Sequence, residues 1–109
     1  MLRKLQDEQR EWSQYNFGKS PSWMPFFGLV EELGELAHSH LKMAQGIRKN
    51  ENHEEKAKDA VGDIVIFLAD YCSANGYDLE EIVKETWNSV KVRDWRKYPD
   101  TGMPAGSEK

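Results

Sequence analysis

Five carboxylates at helical spacing limit most strongly what this chain can fold into. Glu31, Glu32 and Glu35 lie in one segment, and Asp59 and Asp63 lie in another. At 3.6 residues per turn, Glu31 shares a helical face with Glu35, and Asp59 shares one with Asp63. Like charges at this spacing repel each other, and a hard divalent cation with oxygen ligands offsets that repulsion. The pattern predicts two helices and makes a carboxylate metal site a candidate.

The simplest interpretation of a Glu-Glu-x-x-Glu run is a solvated helix face. The segment after Asp63 argues against this interpretation, because residues 64–69 are apolar around the whole helical circumference. A helix of that kind is buried. An unpaired carboxylate at the edge of a buried segment is costly. We therefore expect Asp63 to stand at the entry of a buried segment and to bind a ligand, an opposite charge or a metal ion.

Length and charge narrow the class of protein. A chain of 109 residues with a formal net charge of −4 fits one domain with a modest core, so oligomerisation is expected. The acidic balance argues against a nucleic-acid partner and against an anionic membrane surface. No apolar run approaches the roughly 18 residues that span a bilayer, and residues 1–8 lack the apolar region of a secretory signal. We expect a cytoplasmic protein.

The single cysteine also limits the chemistry. Cys72 has no second cysteine to pair with, which excludes an intrachain disulfide and a cysteine metal cluster. It stands at the end of the apolar run, where a small buried residue is expected.

The periodicity indicates four helices and no strand. The first covers about residues 2–16 and is followed by a loop over residues 17–25, which holds glycine, proline and serine. The second runs from Pro25 to about Ala44, with Gly46 beyond its end. Its apolar stripe lies nearly opposite the glutamates and comprises Phe26, Val30, Leu33, Ala37, Leu41 and Ala44.

The second half of the chain continues this pattern. Asn52, with Glu55 three residues later, is typical of a helix N-cap, and Asn75-Gly76 ends that third helix. A fourth helix follows Asp78 and ends near Lys97. We predict an all-α, four-helix-bundle type of fold over residues 1–98, completed by oligomerisation, and a flexible C-terminal tail over residues 99–109.

A site made of carboxylates favours Mg²⁺, Mn²⁺ or Ca²⁺ over zinc. Glu35-x-x-His38 matches one half of the motif found in di-iron bundles, but Ile66 follows Asp63 by three residues, so the second half is missing. His40 and His53 are expected to be surface or interface residues.

Phosphate groups also need cationic or amide donors, and the fourth helix offers Asn88, Lys91, Arg93 and Arg96. Their simpler role is to complement the dipole at a helix end. Trp23 lies in the predicted loop, where it could stack on a base or anchor the core.

Two segments together resemble a known family. They are Gly28-Leu-Val-Glu-Glu-Leu-Gly-Glu-Leu36 and Lys58-Asp-Ala-Val-Gly-Asp-Ile64, and the similarity extends over about residues 2–98. The chain resembles the MazG-type nucleotide pyrophosphohydrolases. Members of that family are all-α, depend on Mg²⁺ and form dimers or tetramers around four-helix bundles. They cleave nucleoside triphosphates to monophosphates and pyrophosphate.

The resemblance implies roles for individual residues. Glu32, Glu35 and Asp63 would be metal ligands, and Glu31 would add a ligand or orient the attacking water, so that Glu31 and Glu32 are the catalytic candidates. The family has a second-motif glutamate where this chain has Ala60, and Asp59 is the candidate substitute for it.

The remaining candidates concern the substrate. Asn88, Lys91 and Arg93 would contact phosphate and Trp23 the base. Mg²⁺ is the expected cofactor, and Mn²⁺ is a second option.

The expected activity is hydrolysis of a nucleoside triphosphate by a homodimer or homotetramer that clears non-canonical or surplus nucleotides. Two alternatives stay open. The first is a non-catalytic helical interaction module that has lost its full metal site, which Ala60 favours. The second is a metal-carboxylate bundle of another kind, which the missing second Glu-x-x-His motif disfavours.

Overall fold

The computed structural model describes residues 1–106. It contains four α-helices: α1 (Leu2–Phe17), α2 (Trp23–Gln45), α3 (His53–Asn75) and α4 (Leu79–Val90). No strand occurs in this part of the chain, which confirms the all-α prediction. The chain forms two compact units, Met1–Leu79 and a second that starts at Glu80. Of the tail expected over residues 99–109, residues 107–109 lie outside the described residues.

The caps of the helices follow the sequence signals closely. The Asn52 side chain accepts a hydrogen bond from the Glu55 backbone N–H at 3.0 Å, which caps α3 as expected. Gly46 and Gly76 end α2 and α3 in the left-handed conformation, which glycine adopts without steric cost. Two ends differ from expectation, because α2 begins at Trp23 rather than Pro25 and α4 ends at Val90 rather than near Lys97.

Helix α3 is the centre of the first unit, and both α2 and α1 pack on it. A Cβ atom at Gly28 of α2 would lie 2.4 Å from the ring of Phe67 on α3, so the two helices touch where only a glycine fits. Near the same end of the pair, the rings of Phe26 and Tyr71 are 6.5 Å apart. From the second contact to the first, the residue numbers rise on α2 and fall on α3, so the two helices run antiparallel.

Hydrogen bonds hold the seam between α1 and the end of α3. The Gln6 side-chain amide donates to the Tyr77 carbonyl at 2.8 Å and to Ser73 Oγ at 3.2 Å, while its oxygen accepts from the Leu79 N–H at 2.9 Å. Ala69, Cys72 and Leu79 form a small buried apolar cluster beside it, with Leu2 and Leu68 packed against them. Cys72 is 5% exposed, so its predicted burial is confirmed.

The outward face of α2 is open in the single chain. Val30, Leu33 and Leu41, all from the predicted apolar stripe, are 52–58% exposed. The apolar run 64–68 on α3 is only half-buried. The expectation that Asp63 enters a buried segment is therefore wrong for the single chain, where its side chain is exposed. The physical reason is that one neighbouring helix on each side does not enclose α3.

The second unit continues beyond α4 as a closed loop. The Asp94 N–H donates to the Gly102 carbonyl and the Gly102 N–H donates to the Tyr98 carbonyl, both at 2.7 Å. Asp94 Oδ1 accepts from the backbone N–H groups of Arg96 and Lys97. These bonds turn the chain, which explains why the helical pattern stops before Lys97.

Candidate metal and nucleotide site

The best candidate site lies on the seam between α2 and α3, where Glu32 faces Asp63. Glu32 is half-buried, and its Oε2 atom is buried without a hydrogen-bond donor among residues 1–106. Burial is the largest cause that raises the pKa of Glu32. The charges of Glu35, Asp63 and Glu31 raise it further, and so does a side-chain hydrogen bond with Asp63. Three of the other four predicted carboxylates thus act on Glu32 in the folded chain.

The closeness of this pair follows from local packing. Gly28 and Glu32 are one turn apart on α2, and Phe67 and Asp63 are one turn apart on α3. Because Gly28 lets the backbone of α2 approach the Phe67 ring, the next turn brings Glu32 opposite Asp63. Sequence analysis missed this role of Gly28. Its signal was a small residue inside an apolar helical segment.

Asp59 occupies a different edge of the site. Asp59 and Asp63 line a shallow cavity of about 570 Å³ together with Leu5, Lys58 and neighbouring residues of α3. Both carboxylates are exposed there. Ala60, where the family pattern has a glutamate, is only 2% exposed and packs inside the first unit. A glutamate at that position would therefore be forced into the interior.

A cation needs several donors at bonding distance. Among residues 1–106, no three carboxylate, imidazole or thiol groups converge closely enough to hold a metal ion in this arrangement. Within residues 1–106, Glu32 Oε2 has no hydrogen-bond donor, and the charges of three further carboxylates act on Glu32. Carboxylate oxygens are the ligand type that a hard cation takes. The observed part of the site therefore consists of the side chains of Glu32 and Asp63. Glu35 and Glu31 are exposed beside this pair.

The predicted base-contact residue lies at the start of α2. Trp23 is the first residue of that helix, not a loop residue, and its ring packs on Phe27 with 5.3 Å between centroids. It is 54% exposed, so it is not the core anchor that was the alternative interpretation.

The predicted phosphate contacts all lie in the second unit. Asn88 is an exposed residue of α4, and the Lys91 N–H continues the helical turn by donating to the Trp87 carbonyl at 2.8 Å. The Arg93 guanidinium lies over the Trp95 ring, 5.9 Å from its centroid. A Cβ atom at Gly102 would lie 2.9 Å from Arg93 Cβ, so the loop packs tightly on the stem of this arginine.

The histidines contribute no part of the carboxylate pair. His38 and His40 are exposed on α2. His53 was expected at the surface or at an interface, and this was wrong, because it is 7% exposed within the single chain and its Nε2 atom lies 2.9 Å from the Arg48 carbonyl. Arg48 has a positive φ of 52°, so His53 holds the turn between α2 and α3 in an uncommon backbone conformation.

Comparisons of this chain with protein-family models, with curated proteins and with solved structures give no match. Within residues 1–106, none of the helices combines the length and the apolar character needed to cross a membrane.

Proposed function

We propose that the chain is a Mg²⁺-dependent nucleoside triphosphate pyrophosphohydrolase of the MazG type, located in the cytoplasm. It converts a nucleoside or deoxynucleoside triphosphate and water to the monophosphate and pyrophosphate, and it clears non-canonical or surplus nucleotides. The observation that carries this proposal is the pair Glu32 and Asp63, with an Oε2 atom buried and lacking a donor within the described part of the chain. A carboxylate oxygen that is shielded from water among like charges is costly unless a cation binds there.

The metal would be held by Glu32, Glu35 and Asp63, with Glu31 or Asp59 as a further ligand, and Mn²⁺ would replace Mg²⁺ in the same oxygen site. When bound, such an ion supplies positive charge to the phosphate oxygens and lowers the pKa of a coordinated water. Glu31 is exposed beside Glu32. Its carboxylate would orient the attacking water and accept its proton as the α-phosphorus is attacked.

The second unit supplies candidates for the triphosphate. Lys91 and Arg93 would offset the negative charge that develops on the leaving pyrophosphate, and Asn88 would donate from its amide. The cation–π contact with Trp95 fixes the direction of the Arg93 side chain. Trp23, with more than half of its surface exposed, would stack on the base.

We further propose that the active unit is at least a homodimer. The open face of α2 presents Val30, Leu33 and Leu41 to solvent, and a lone chain rarely exposes a continuous apolar helix face. A second copy packed on this face would also complete a four-helix bundle from two α2–α3 pairs.

A non-catalytic helical module is the second candidate. The observation that favours it is Ala60, which is buried where the family pattern has an acidic ligand. In that case the carboxylates would form a polar surface and no nucleotide would be cleaved.

Release of pyrophosphate from a panel of nucleoside triphosphates, measured with Mg²⁺ and with a chelator, distinguishes the pyrophosphohydrolase from the non-catalytic module. Asp63→Asn keeps the shape but removes the charge, so turnover should fall by more than about 100-fold, since changing even the outer partners of a metal ligand costs about 10- to 100-fold. Asp100→Asn is the matched control, because Asp100 is an exposed aspartate of the C-terminal loop. Full activity of the Asp63 variant would contradict the proposal.

Asp59→Ala tests the ligand count. If Asp59 replaces the family glutamate, this variant should need a Mg²⁺ concentration higher by about tenfold for half-maximal turnover. The reverse change, Ala60→Glu, is a poor test of function because it would bury a carboxylate. An unchanged Mg²⁺ dependence in Asp59→Ala would make Asp59 a surface residue.

A further inference from the structure

A second cavity lies in the first unit, between α1, the turn after α1 and the C-terminal half of α3. Its volume is about 610 Å³. Two cations, Arg10 and Lys19, line it together with the carboxyl of Asp70. Its other polar groups are the hydroxyls of Ser13, Ser20 and Ser73 and the side chain of Gln14, and Pro25 and Ala74 add apolar surface. None of the polar groups in it belongs to the carboxylate pair.

Two hydrogen-bond acceptors meet beside this cavity. Burial raises the pKa of Asp70, and a hydrogen bond from the Gln9 side chain offsets part of that rise. Gln9 is 8% exposed, and its Oε1 atom is buried without a donor in the described range 1–106. An acceptor that is buried and unsatisfied costs free energy unless a ligand or water donates to it. Asp70 lines the cavity, so a ligand bound there can donate an N–H group to its carboxyl.

The cavity lies on the same seam as the carboxylate pair. Pro25 and Asp70 line it, and they stand seven residues from Glu32 and Asp63 respectively. Seven residues are close to two full turns, so each helix presents both positions on one side, about 10 Å apart. Gly28 and Phe67 touch midway between them. A nucleotide whose α-phosphate is at the carboxylate pair would reach this cavity with its base.

We infer that this cavity binds the base of the nucleotide and selects a base that carries both an exocyclic amine and a ring carbonyl, as cytosine and guanine do. The amine donates to Asp70, and the carbonyl accepts from Arg10 or Lys19. Uracil and thymine have no amine, and adenine has no carbonyl, so each leaves one side of the cavity unpaired. This inference rests on the proposed function, because it concerns the substrate of the same site.

The test is kcat/KM for triphosphates of the different bases, measured with the intact chain and Mg²⁺. Cytosine and guanine nucleotides should exceed uracil, thymine and adenine nucleotides by at least about tenfold, which is what one well-placed polar pair discriminates. In Asp70→Asn that advantage over uracil should disappear, because one acceptor is replaced by a donor. Asp7→Asn, which changes an exposed aspartate on α1 outside the cavity, should keep it.

A second variant covers the case in which Asp70→Asn does not fold. The double variant Arg10→Met with Lys19→Met removes both exposed cationic donors of the cavity and should reduce only the discrimination against adenine. Equal rates for all bases, or an amine preference that persists in a folded Asp70→Asn variant, would overturn the inference while leaving the proposed function intact.

Binding of nucleoside monophosphates in the presence of a chelator distinguishes the remaining outcomes. This measurement needs no catalysis. If no triphosphate is cleaved but cytidine and guanosine monophosphates bind more tightly than uridine monophosphate, the proposed function fails and the base site stands. If there is neither cleavage nor base-dependent binding, both fail.

Discussion

The two helices that pack on α3 do so by opposite means. Helix α1 is attached through polar groups, because Gln6 and Gln9 are its buried residues and Gln6 alone makes three hydrogen bonds. Helix α2 meets α3 through a close backbone contact at Gly28 and leaves an apolar face open. The polar groups between α1 and α3 are satisfied once their hydrogen bonds form within the chain. An open apolar face is removed from water only when another surface packs on it. The comparison indicates that α1 serves the stability of the single chain, and under the proposed dimer α2 would serve assembly.

The strongest way to break this comparison is to charge the open face. If the proposed oligomer forms, Leu41→Lys should convert it into a monomer at micromolar concentration while the helical content stays unchanged, because Leu41 is 52% exposed in the single chain. Sedimentation velocity and far-UV circular dichroism measure both properties. Glu11→Lys, at an exposed position of α1, is the control. A compact and active wild-type monomer would contradict the assignment of α2 to assembly.

The polar seam can be broken at Gln6. Gln6→Ala removes three hydrogen bonds and leaves the Leu79 N–H and the Tyr77 carbonyl without their partner. The free energy of unfolding should fall by about 3 kcal/mol, since each buried group left unsatisfied costs about 1–3 kcal/mol. Urea unfolding followed by tryptophan fluorescence measures it, and the oligomeric state should not change. A loss of assembly in this variant would show that the two regions are not separate.

Two glycines of α2 sharpen the comparison further. Gly28→Ala places a methyl group against Phe67 and should destabilise the chain by about 2 kcal/mol, within the range for overpacked sites. At Gly34 an added Cβ meets nothing within 4 Å in the described part of the chain. Gly34→Ala should therefore stabilise α2 by about 0.5–1 kcal/mol. Thermal melts of both variants test this, and equal effects would refute the close approach at Gly28.

The smallest effect is expected at Asp70. Because burial raises its pKa in the folded chain, the cost of its charge is absent at low pH and appears as the pH rises through the folded pKa. Asp70→Asn should therefore gain slightly in melting temperature over the wild type near pH 7, and the gain should shrink below pH 4. Arg10 and Lys19 line the same cavity and limit the size of this effect. If the gain in melting temperature instead grows as the pH falls, the pKa of Asp70 is lowered in the folded chain rather than raised.

Local signals in the sequence predicted local structure well. The Asn52 cap and the glycine ends of α2 and α3 depend on residues within one turn of each other, so they could be read directly. The pairing of Glu32 with Asp63 was partly accessible, because helical spacing put both on candidate faces. That prediction did not include the glycine contact that brings them together.

Burial could not be predicted in the same way. The run 64–69 looked buried all round, yet only Ala69 is buried in the single chain, since burial depends on how many neighbours surround α3. The cavity beside Asp70 joins residues from α1, a turn and α3 that are up to 64 positions apart. Its one sequence signal was an aspartate between Ala69 and Tyr71, and no local pattern specified what would surround it.

The labelling rate of Cys72 can measure how often the structure around it opens. Its thiol lies in the apolar cluster between α1 and α3, and burial, assisted by the charge of Asp78, raises the pKa of Cys72. Both effects suppress the thiolate that reacts with labelling reagents. Because no other cysteine competes for the reagent, the rate of labelling reports how often this seam opens, without any engineered probe. The same burial leaves the surface free of thiols, so a cysteine introduced anywhere on it can be modified selectively.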